Sequence, residues 1–124
     1  MGNGVYTSTL CSSSETIALH NELAYLVHPP KYLLFYCDIP PANEGETPIV
    51  DGRRLFGSLS PDIQDSCTDN KSNLLDRVRE TAWREASFFA CQRGDLLFLN
   101  NHLVAHGRNR FSGARRILPP WPRI

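Results

Sequence analysis

The sequence lacks an excess of charge of either sign. It contains 13 lysine and arginine residues and 13 aspartate and glutamate residues, which gives a formal net charge of zero at pH 7. Proteins that bind nucleic acid or anionic membranes by electrostatic attraction usually carry a basic excess. The composition therefore argues against these two classes of partner and favours a small-molecule or polar one.

Long apolar runs and closely spaced cysteines are also missing. The apolar stretches, such as residues 32–37, are too short to cross a bilayer. No basic segment followed by an apolar one stands at the start of the chain. The four cysteines lie far apart without a C-x-x-C pair, which indicates reduced thiols. These absences predict a cytoplasmic protein without a membrane span.

The length of the chain is enough for one domain with a modest core. With 124 residues, 41% of them hydrophobic, the chain is too short to bury two separate cores. We therefore treat residues 1–124 as a single domain. Residues 119–124 are rich in proline, which has no N–H to donate to a neighbouring strand. This segment is predicted to lie outside the core.

Short segments of β-type sequence dominate the pattern. Most are bounded by glycine, proline or asparagine, and they lie at residues 5–10, 17–23, 32–39, 47–50, 88–91, 96–99 and 115–118. Ser60 and Pro61 resemble the first residues of a helix, and apolar residues recur at helical spacing from Leu74 to Ala82. The sequence predicts a mainly β fold, a barrel or double sheet, with short helices between two blocks of strands.

The triplet His20-Asn21-Glu22 is the first candidate for chemistry. On a strand, His20 and Glu22 would point to the same face, because side chains alternate along a strand. An imidazole and a carboxylate so placed, with one distant histidine, form the facial triad that holds non-haem Fe(II) and leaves positions open. Since H-x-E triplets are common by chance, two polar residues on a solvated strand face remain an alternative.

A cluster near the other end of the chain supplies the distant histidine. It consists of Gly94-Asp95, an apolar strand, Asn100-Asn101, His106-Gly107-Arg108 and Arg115-Arg116-Ile117. Further motifs occur in matching order at residues 5–9, 14–17, 20–22, 34–37 and 45–49. Together these motifs resemble the clavaminate synthase-like, or taurine dioxygenase (TauD/TfdA-like), family of Fe(II)- and 2-oxoglutarate-dependent dioxygenases.

The resemblance implies a fold, a cofactor and a reaction. The fold would be a partial double-stranded β-helix, or jelly roll, in which His20, Glu22 and His106 hold Fe(II). Arg116 and Thr47 would bind the cosubstrate 2-oxoglutarate, because a planar guanidinium matches a carboxylate through two parallel hydrogen bonds. With O2, such a site would hydroxylate a small amino-acid-like or specialised-metabolism substrate. For Thr47, a turn hydroxyl that caps its own backbone is an equal alternative.

Two alternatives to an active oxygenase stay open. His102 and His106 have the spacing of a helical zinc site, although Leu103 stands where the metalloprotease motif has glutamate and the flanking sequence predicts strand. The separation of His20 and His106 is also shorter than the family pattern implies. We therefore expect an incomplete domain, and its alternative function is that of an inactive remnant or interaction module whose open sheet edges pair with another chain.

Overall fold

The computed structural model describes residues 12–65 and 72–118. The predicted strand at residues 5–10, the tail at 119–124 and two of the cysteines, Cys11 and Cys67, lie outside the described residues. Within the described ranges the strands are β1 (Ile17–His20), β2 (Tyr32–Ile39), β3 (Asn43–Glu44), β4 (Thr47–Asp51), β5 (Ser87–Phe89), β6 (Leu96–Asn100), β7 (Val104–Arg108), β8 (Phe111–Ser112) and β9 (Arg116–Leu118).

The helices lie together between β4 and β5, as the sequence predicts. They are α1 (Gly52–Ser58), α2 (Pro61–Asp65) and α3 (Ser72–Glu85). Asp51 begins α1, because its carboxylate accepts a hydrogen bond of 2.8 Å from the backbone N–H of Arg53. Both α1 and α3 contact β4, and the two helices also contact each other. None of the helices that the structure describes is both long and apolar enough to cross a bilayer.

The strands form antiparallel sheets that face each other. The larger sheet has the order β1-β7-β4-β5, a second has the order β6-β2-β9, and β3 pairs with β8. The ring of Phe35 on β2 lies 5.2 Å from the ring of His106 on β7, so the two larger sheets touch at this point. The architecture is therefore the double sheet with inserted helices that the spacing of the β-type segments predicts.

The second sheet has one buried and one exposed face. Its buried face consists of the cross-strand pairs Leu33 with Leu99 and Cys37 with Ile117. Burial of a leucine or isoleucine side chain stabilises a fold by about 1.5–3 kcal/mol, so this row is a main part of the core. The opposite face, which we call the outer face, exposes large apolar side chains: Tyr32, Leu34, Tyr36, Leu96 and Phe98.

Strand β7 is the longest strand that sequence patterns did not predict, and the two-residue strands β3 and β8 were also missed. The sequence of β7 includes Gly107, and glycine is unfavourable in strands because it has no side chain to pack. Here the glycine is required, since a Cβ at this position would lie 2.6 Å from the carbonyl oxygen of Ile17. Strand β7 is held by pairing with β1 on one side and β4 on the other. Long-range pairing thus overrides a weak local preference.

Candidate metal centre

The three predicted metal ligands converge on one side of the larger sheet. The ligand atoms of His20, Glu22 and His106 all lie within 4.8 Å of one another. The Oε2 atom of Glu22 is 3.5 Å from Nε2 of His20 and 3.4 Å from Nε2 of His106. Two imidazoles and one carboxylate therefore face a common point, which is the arrangement of a facial triad.

Strand register brings the two histidines together. His20 on β1 lies opposite His106 on β7, and Ile49 on β4 lies opposite His106 on its other side. Directly opposed residues of antiparallel strands project their side chains to the same face. The centroids of the two imidazole rings are 4.5 Å apart, so the pairing of β1 with β7 positions two of the three ligands.

Glu22 reaches the cluster by a different route from the predicted one. The expectation was a single strand carrying both His20 and Glu22, but β1 ends at His20 and Glu22 lies in the turn that follows. Leu23 then adopts a left-handed backbone with φ of 52°, which is uncommon for a residue other than glycine. His20 and Glu22 do converge as predicted. The turn after β1 brings them together, however, and not the alternation of side chains along one strand.

The donor set fits a metal ion such as Fe(II). Ligands bound at about 2.1 Å and at right angles to one another are about 3 Å apart, so the separations of 3.5 and 3.4 Å between Glu22 and the two histidines require only a small contraction. The Nδ1 atom of His20 is 2.8 Å from the carbonyl oxygen of Ala18. Because a carbonyl only accepts, Nδ1 carries a proton, so that loss of the second proton from Nε2 would leave the Nε2 lone pair facing the cluster for a metal.

The electrostatics of the cluster favour a metal-binding carboxylate. Hydrogen bonds to His106 and then His20 hold the pKa of Glu22 well below its usual range, so Glu22 is ionised at neutral pH. The hydrogen bond to Glu22 in turn raises the pKa of His20. The side chains of His20 and Glu22 are each 42% exposed, whereas that of His106 is 8% exposed. The site is therefore open on the side of His20 and Glu22.

Thr47 lies further along the same face of the larger sheet. It belongs to β4 and is two residues from Ile49, which pairs with His106. Its side chain is buried, and Oγ1 is 4.0 Å from Sγ of Cys91. The alternative of a turn hydroxyl does not match this location, because Thr47 is within a strand. The structure therefore leaves the hydroxyl facing the interior between the sheets.

The two adjacent arginines have different surroundings. Arg116, the predicted cosubstrate ligand, is exposed and forms an ion pair with the carboxylate of Asp38 through Nε and Nη2. Arg115 is partly buried, and its Nε atom has no hydrogen-bond partner among the described residues. Burial, followed by the nearby charge of Arg108, lowers the pKa of Arg115. The guanidinium of Arg115 also lies over the ring of Phe111, 5.4 Å from its centroid.

Arg115 is thus a candidate that sequence analysis overlooked. A signal for it was present, because Arg115 and Ile117 lie on the same side of an extended chain and an isoleucine marks the buried side. The structure agrees with this pattern, since Ile117 is buried opposite Cys37. The inward-facing arginine is therefore the first of the pair.

The remaining histidines lie away from the cluster. His28 is exposed in a loop. The Nε2 atom of His102 is 3.2 Å from the carbonyl oxygen of Pro29, and the segment from His102 to His106 consists of a turn and a strand. A zinc site with both histidines on one helical face is therefore not supported.

Sequence comparison relates the chain to a dioxygenase family. Residues 3–71 match the family described as taurine catabolism dioxygenase TauD, TfdA family. Dapdiamide synthesis protein DdaC of Enterobacter agglomerans is 40% identical over 60 residues, which are 48% of this chain and 18% of DdaC. A clavaminate synthase-like protein of Arabidopsis thaliana is 32% identical over 76 residues, 61% of this chain and 21% of that protein. The matched regions thus span about a fifth of these curated relatives.

Solved structures share the fold at low sequence identity. An asparagine oxygenase, in complex with Fe(II), 2S,3S-3-hydroxyasparagine and succinate, has a TM-score of 0.77 at 16% identity, over 86% of this chain and 49% of that one. PvcB, an Fe, alpha-ketoglutarate dependent oxygenase from an isonitrile synthetic pathway, has a TM-score of 0.71 at 15% identity, over 90% of this chain and 57% of PvcB. The likeness confirms the predicted jelly-roll type of fold, of which the chain spans about half.

Proposed function

Because the chain belongs to the taurine catabolism dioxygenase TauD, TfdA family, we propose that it carries the site of an Fe(II)- and 2-oxoglutarate-dependent dioxygenase. The observation that carries this proposal is the convergence of His20, Glu22 and His106, whose ligand atoms lie within 4.8 Å of one another. The likeness to oxygenases in fold adds support, but a fold does not define a reaction, and the chemistry depends on the three ligands of the cluster.

The three ligands would hold Fe(II) from one side. The Nε2 atoms of both histidines and the ionised carboxylate of Glu22 are the donors, and the hydrogen bond from His20 Nδ1 to Ala18 fixes the required tautomer. Three protein ligands leave the other coordination positions of the metal free for the reactants. The exposed side of His20 and Glu22 is where the reactants would arrive.

The cosubstrate 2-oxoglutarate would be held at the deeper end of the same face. Arg115 is the stronger candidate for its distal carboxylate, because its guanidinium is partly buried and its Nε lacks a partner in the described residues. Arg116 remains the alternative, and it would first have to leave Asp38. Thr47 would add a hydroxyl contact, since its side chain is buried and its Oγ1 lies 4.0 Å from Sγ of Cys91. A guanidinium and a carboxylate match through paired hydrogen bonds.

The bound metal and cosubstrate would supply the oxidising chemistry, in which O2 converts 2-oxoglutarate to succinate and CO2 while the substrate is hydroxylated. The protein's own residues would bind and orient the reactants, which is their main contribution in cofactor enzymes. Phe35 packs against His106 and keeps one side of this ligand away from water. We propose a small amino-acid-like substrate, by analogy with the asparagine oxygenase, and a cytoplasmic location.

The decisive experiment measures succinate and labelled CO2 formed from 2-oxoglutarate by the purified chain with Fe(II), O2 and ascorbate. We expect slow, iron-dependent turnover, because His20 and Glu22 are 42% exposed and oxidation of this kind favours a site that excludes water. His106→Ala should abolish the turnover, and His102→Ala should retain it. Turnover that survives His106→Ala would contradict the proposed site.

A second candidate function is that of an interaction module of the same family. The observation that favours it is the outer face, on which Leu96 is 63% and Phe98 is 64% exposed. Large contiguous apolar patches on soluble proteins usually mark interaction sites. Under this alternative the chain would form no succinate and would associate in sedimentation experiments, and the double substitution Leu96→Ser and Phe98→Ser would reduce the association.

A further inference from the structure

Asn101 is a deeply buried amide beside the candidate metal centre. Asn101 is 1% exposed, which is the lowest value among the buried polar residues that the structure describes. It lies in the turn between β6 and β7. Oδ1 accepts a hydrogen bond of 2.8 Å from the backbone N–H of Glu22, and Nδ2 donates to the carbonyl oxygen of Glu22 at 2.9 Å. One side chain therefore binds both polar groups of the Glu22 backbone.

The amide of Asn101 is itself held firmly. Nδ2 also donates to the carbonyl oxygen of Pro30 at 2.8 Å, and the backbone N–H of Asn101 donates to Lys31 at 2.7 Å. The side chain of Asn21 donates to the carbonyl oxygen of Asn101 at 2.7 Å. These bonds fix the orientation of the amide, because Oδ1 must face an N–H and Nδ2 must face carbonyl oxygens.

The turn that carries Glu22 depends on this contact. Strand β1 ends at His20, so strand pairing does not extend to Glu22, and Leu23 has an uncommon left-handed backbone. The side chain of Glu22 is 42% exposed, so burial alone does not fix its position. His106, by contrast, lies on β7, the strand that follows Asn101. Asn101 therefore connects the turn of one ligand to the strand of another.

We propose that Asn101 is a positioning residue for the metal centre, because its side chain fixes the peptide of Glu22 and thereby the distance from the Glu22 carboxylate to both histidines. This inference rests on the proposed metal-binding function. Asn101 does not contact the metal or the substrate; it acts through Glu22. Without the amide, the N–H and carbonyl of Glu22 lose their buried partner and the turn can move. A ligand displaced by about 1 Å weakens such a site strongly.

Two substitutions separate the parts of this contact. Asn101→Ala removes all three side-chain hydrogen bonds. Asn101→Asp keeps the shape and the acceptor for Glu22 N–H, but it replaces the Nδ2 donor with an oxygen that faces the carbonyl oxygens of Glu22 and Pro30. Because Asn101→Asp preserves side-chain volume, it is the variant that remains informative if Asn101→Ala does not fold.

A matched control lies in the helical part of the chain. Gln64 Nε2 donates to the carbonyl oxygens of Phe56 at 2.8 Å and Leu59 at 3.0 Å. Gln64→Ala therefore also removes an amide that binds two backbone carbonyls, but away from the cluster. It is expected to lower the thermal unfolding midpoint while leaving the metal ligands in place.

The experiment titrates Co(II), as a spectroscopic probe, into the metal-free chain without 2-oxoglutarate and records both affinity and visible absorption. The measurement is made below the unfolding midpoint of every variant. We expect the Asn101 variants to bind Co(II) about 10–100-fold more weakly, as is usual when a residue that orients a ligand is lost, and to show a changed spectrum. Gln64→Ala should match the unsubstituted chain in both.

The outcomes distinguish the two proposals. If the unsubstituted chain does not bind Co(II), the metal-binding function fails and this inference fails with it. If it binds Co(II), and folded Asn101→Asp has the same affinity and spectrum, the metal-binding function stands and the role of Asn101 is overturned. Weaker binding with an altered spectrum in Asn101→Asp, but not in Gln64→Ala, supports the positioning role.

Discussion

His20 lies directly opposite His106 in the pairing of β1 with β7, and their ring centroids are 4.5 Å apart. Because side chains alternate along a strand, a slip of one residue would turn one imidazole to the other face of the sheet. The register between these two strands therefore decides whether a metal centre can form.

Gly107 offers a direct test of this register. A Cβ at this position would lie 2.6 Å from the carbonyl oxygen of Ile17, so Gly107→Ala must push β1 away from β7. We expect a loss of about 1–3 kcal/mol in unfolding free energy, typical of overpacking, and clearly weaker Co(II) binding. Chemical denaturation and Co(II) titration measure the two effects.

The control for this variant is Gly57→Ala. Gly57 lies in α1, and among the described residues a Cβ placed there would have no atom within 4 Å other than those of its chain neighbours and its own helix backbone. Alanine favours a helix over glycine by about 0.5–1 kcal/mol, so this variant should be slightly more stable and should bind Co(II) normally. Equal Co(II) binding by both glycine variants would show that the β1–β7 spacing does not control the site.

Removal of any one ligand should disrupt metal binding. Loss of a residue that only orients a ligand typically weakens metal binding by about 10–100-fold. We expect His20→Ala, Glu22→Ala and His106→Ala each to weaken Co(II) binding by more than this. His102→Ala is the control, because its imidazole contacts Pro29 instead of the cluster. An unchanged affinity in any of the three ligand variants would remove that residue from the site.

The metal-free protein should show opposite pH effects for two of the ligands. Glu22 raises the pKa of His20 above 6.5, so His20 adds stability below about pH 6.5 that is lost as the pH rises through its folded pKa. The pKa of Glu22 is lowered from 4.5, so its contribution is present above pH 4.5 and is lost as the pH falls. Proton NMR of His20 checks the first effect, and Glu22→Gln should lower its titration midpoint.

The raised pKa of His20 also means that protons compete with a metal ion for this imidazole. Metal binding requires a neutral imidazole, so Co(II) affinity should fall as the pH is lowered through the raised pKa of His20. Glu22 stays ionised over this range because of its low pKa, so it should not contribute to the pH dependence of Co(II) affinity. An affinity that is independent of pH between 6 and 8 would mean that His20 is not a ligand.

The two adjacent arginines can be separated by matched substitutions. We expect Arg115→Lys to weaken 2-oxoglutarate binding in the presence of Co(II) by about 10–100-fold, the equivalent of a charge-assisted hydrogen bond of about 1.5–3 kcal/mol. Arg116→Lys should have a small effect, because Arg116 pairs with Asp38 on the exposed side. Isothermal titration calorimetry measures both. The opposite order would restore Arg116 as the cosubstrate ligand.

The sequence by itself determined the family, the class of fold and the three ligand candidates. Family membership is confirmed by the match over residues 3–71, and β2 occupies the predicted residues, Tyr32–Ile39. Both results depend on local information: ordered motifs in the first case, and a continuous apolar run between turn residues in the second. Residues His20, Glu22 and His106 were identified in the same way, from residue types and their order.

Tertiary structure decided how these residues meet. Strand β7 forms because β1 and β4 pair with it, and Glu22 is held in place by Asn101, which is far from it in sequence. The pairing of β9 with β2 decides which arginine faces the interior. In this pairing Ile117 lies opposite the buried Cys37, and Arg116 forms an ion pair with Asp38. Hydrogen bonds and burial between distant segments form only when the chain folds, so no local pattern specifies them.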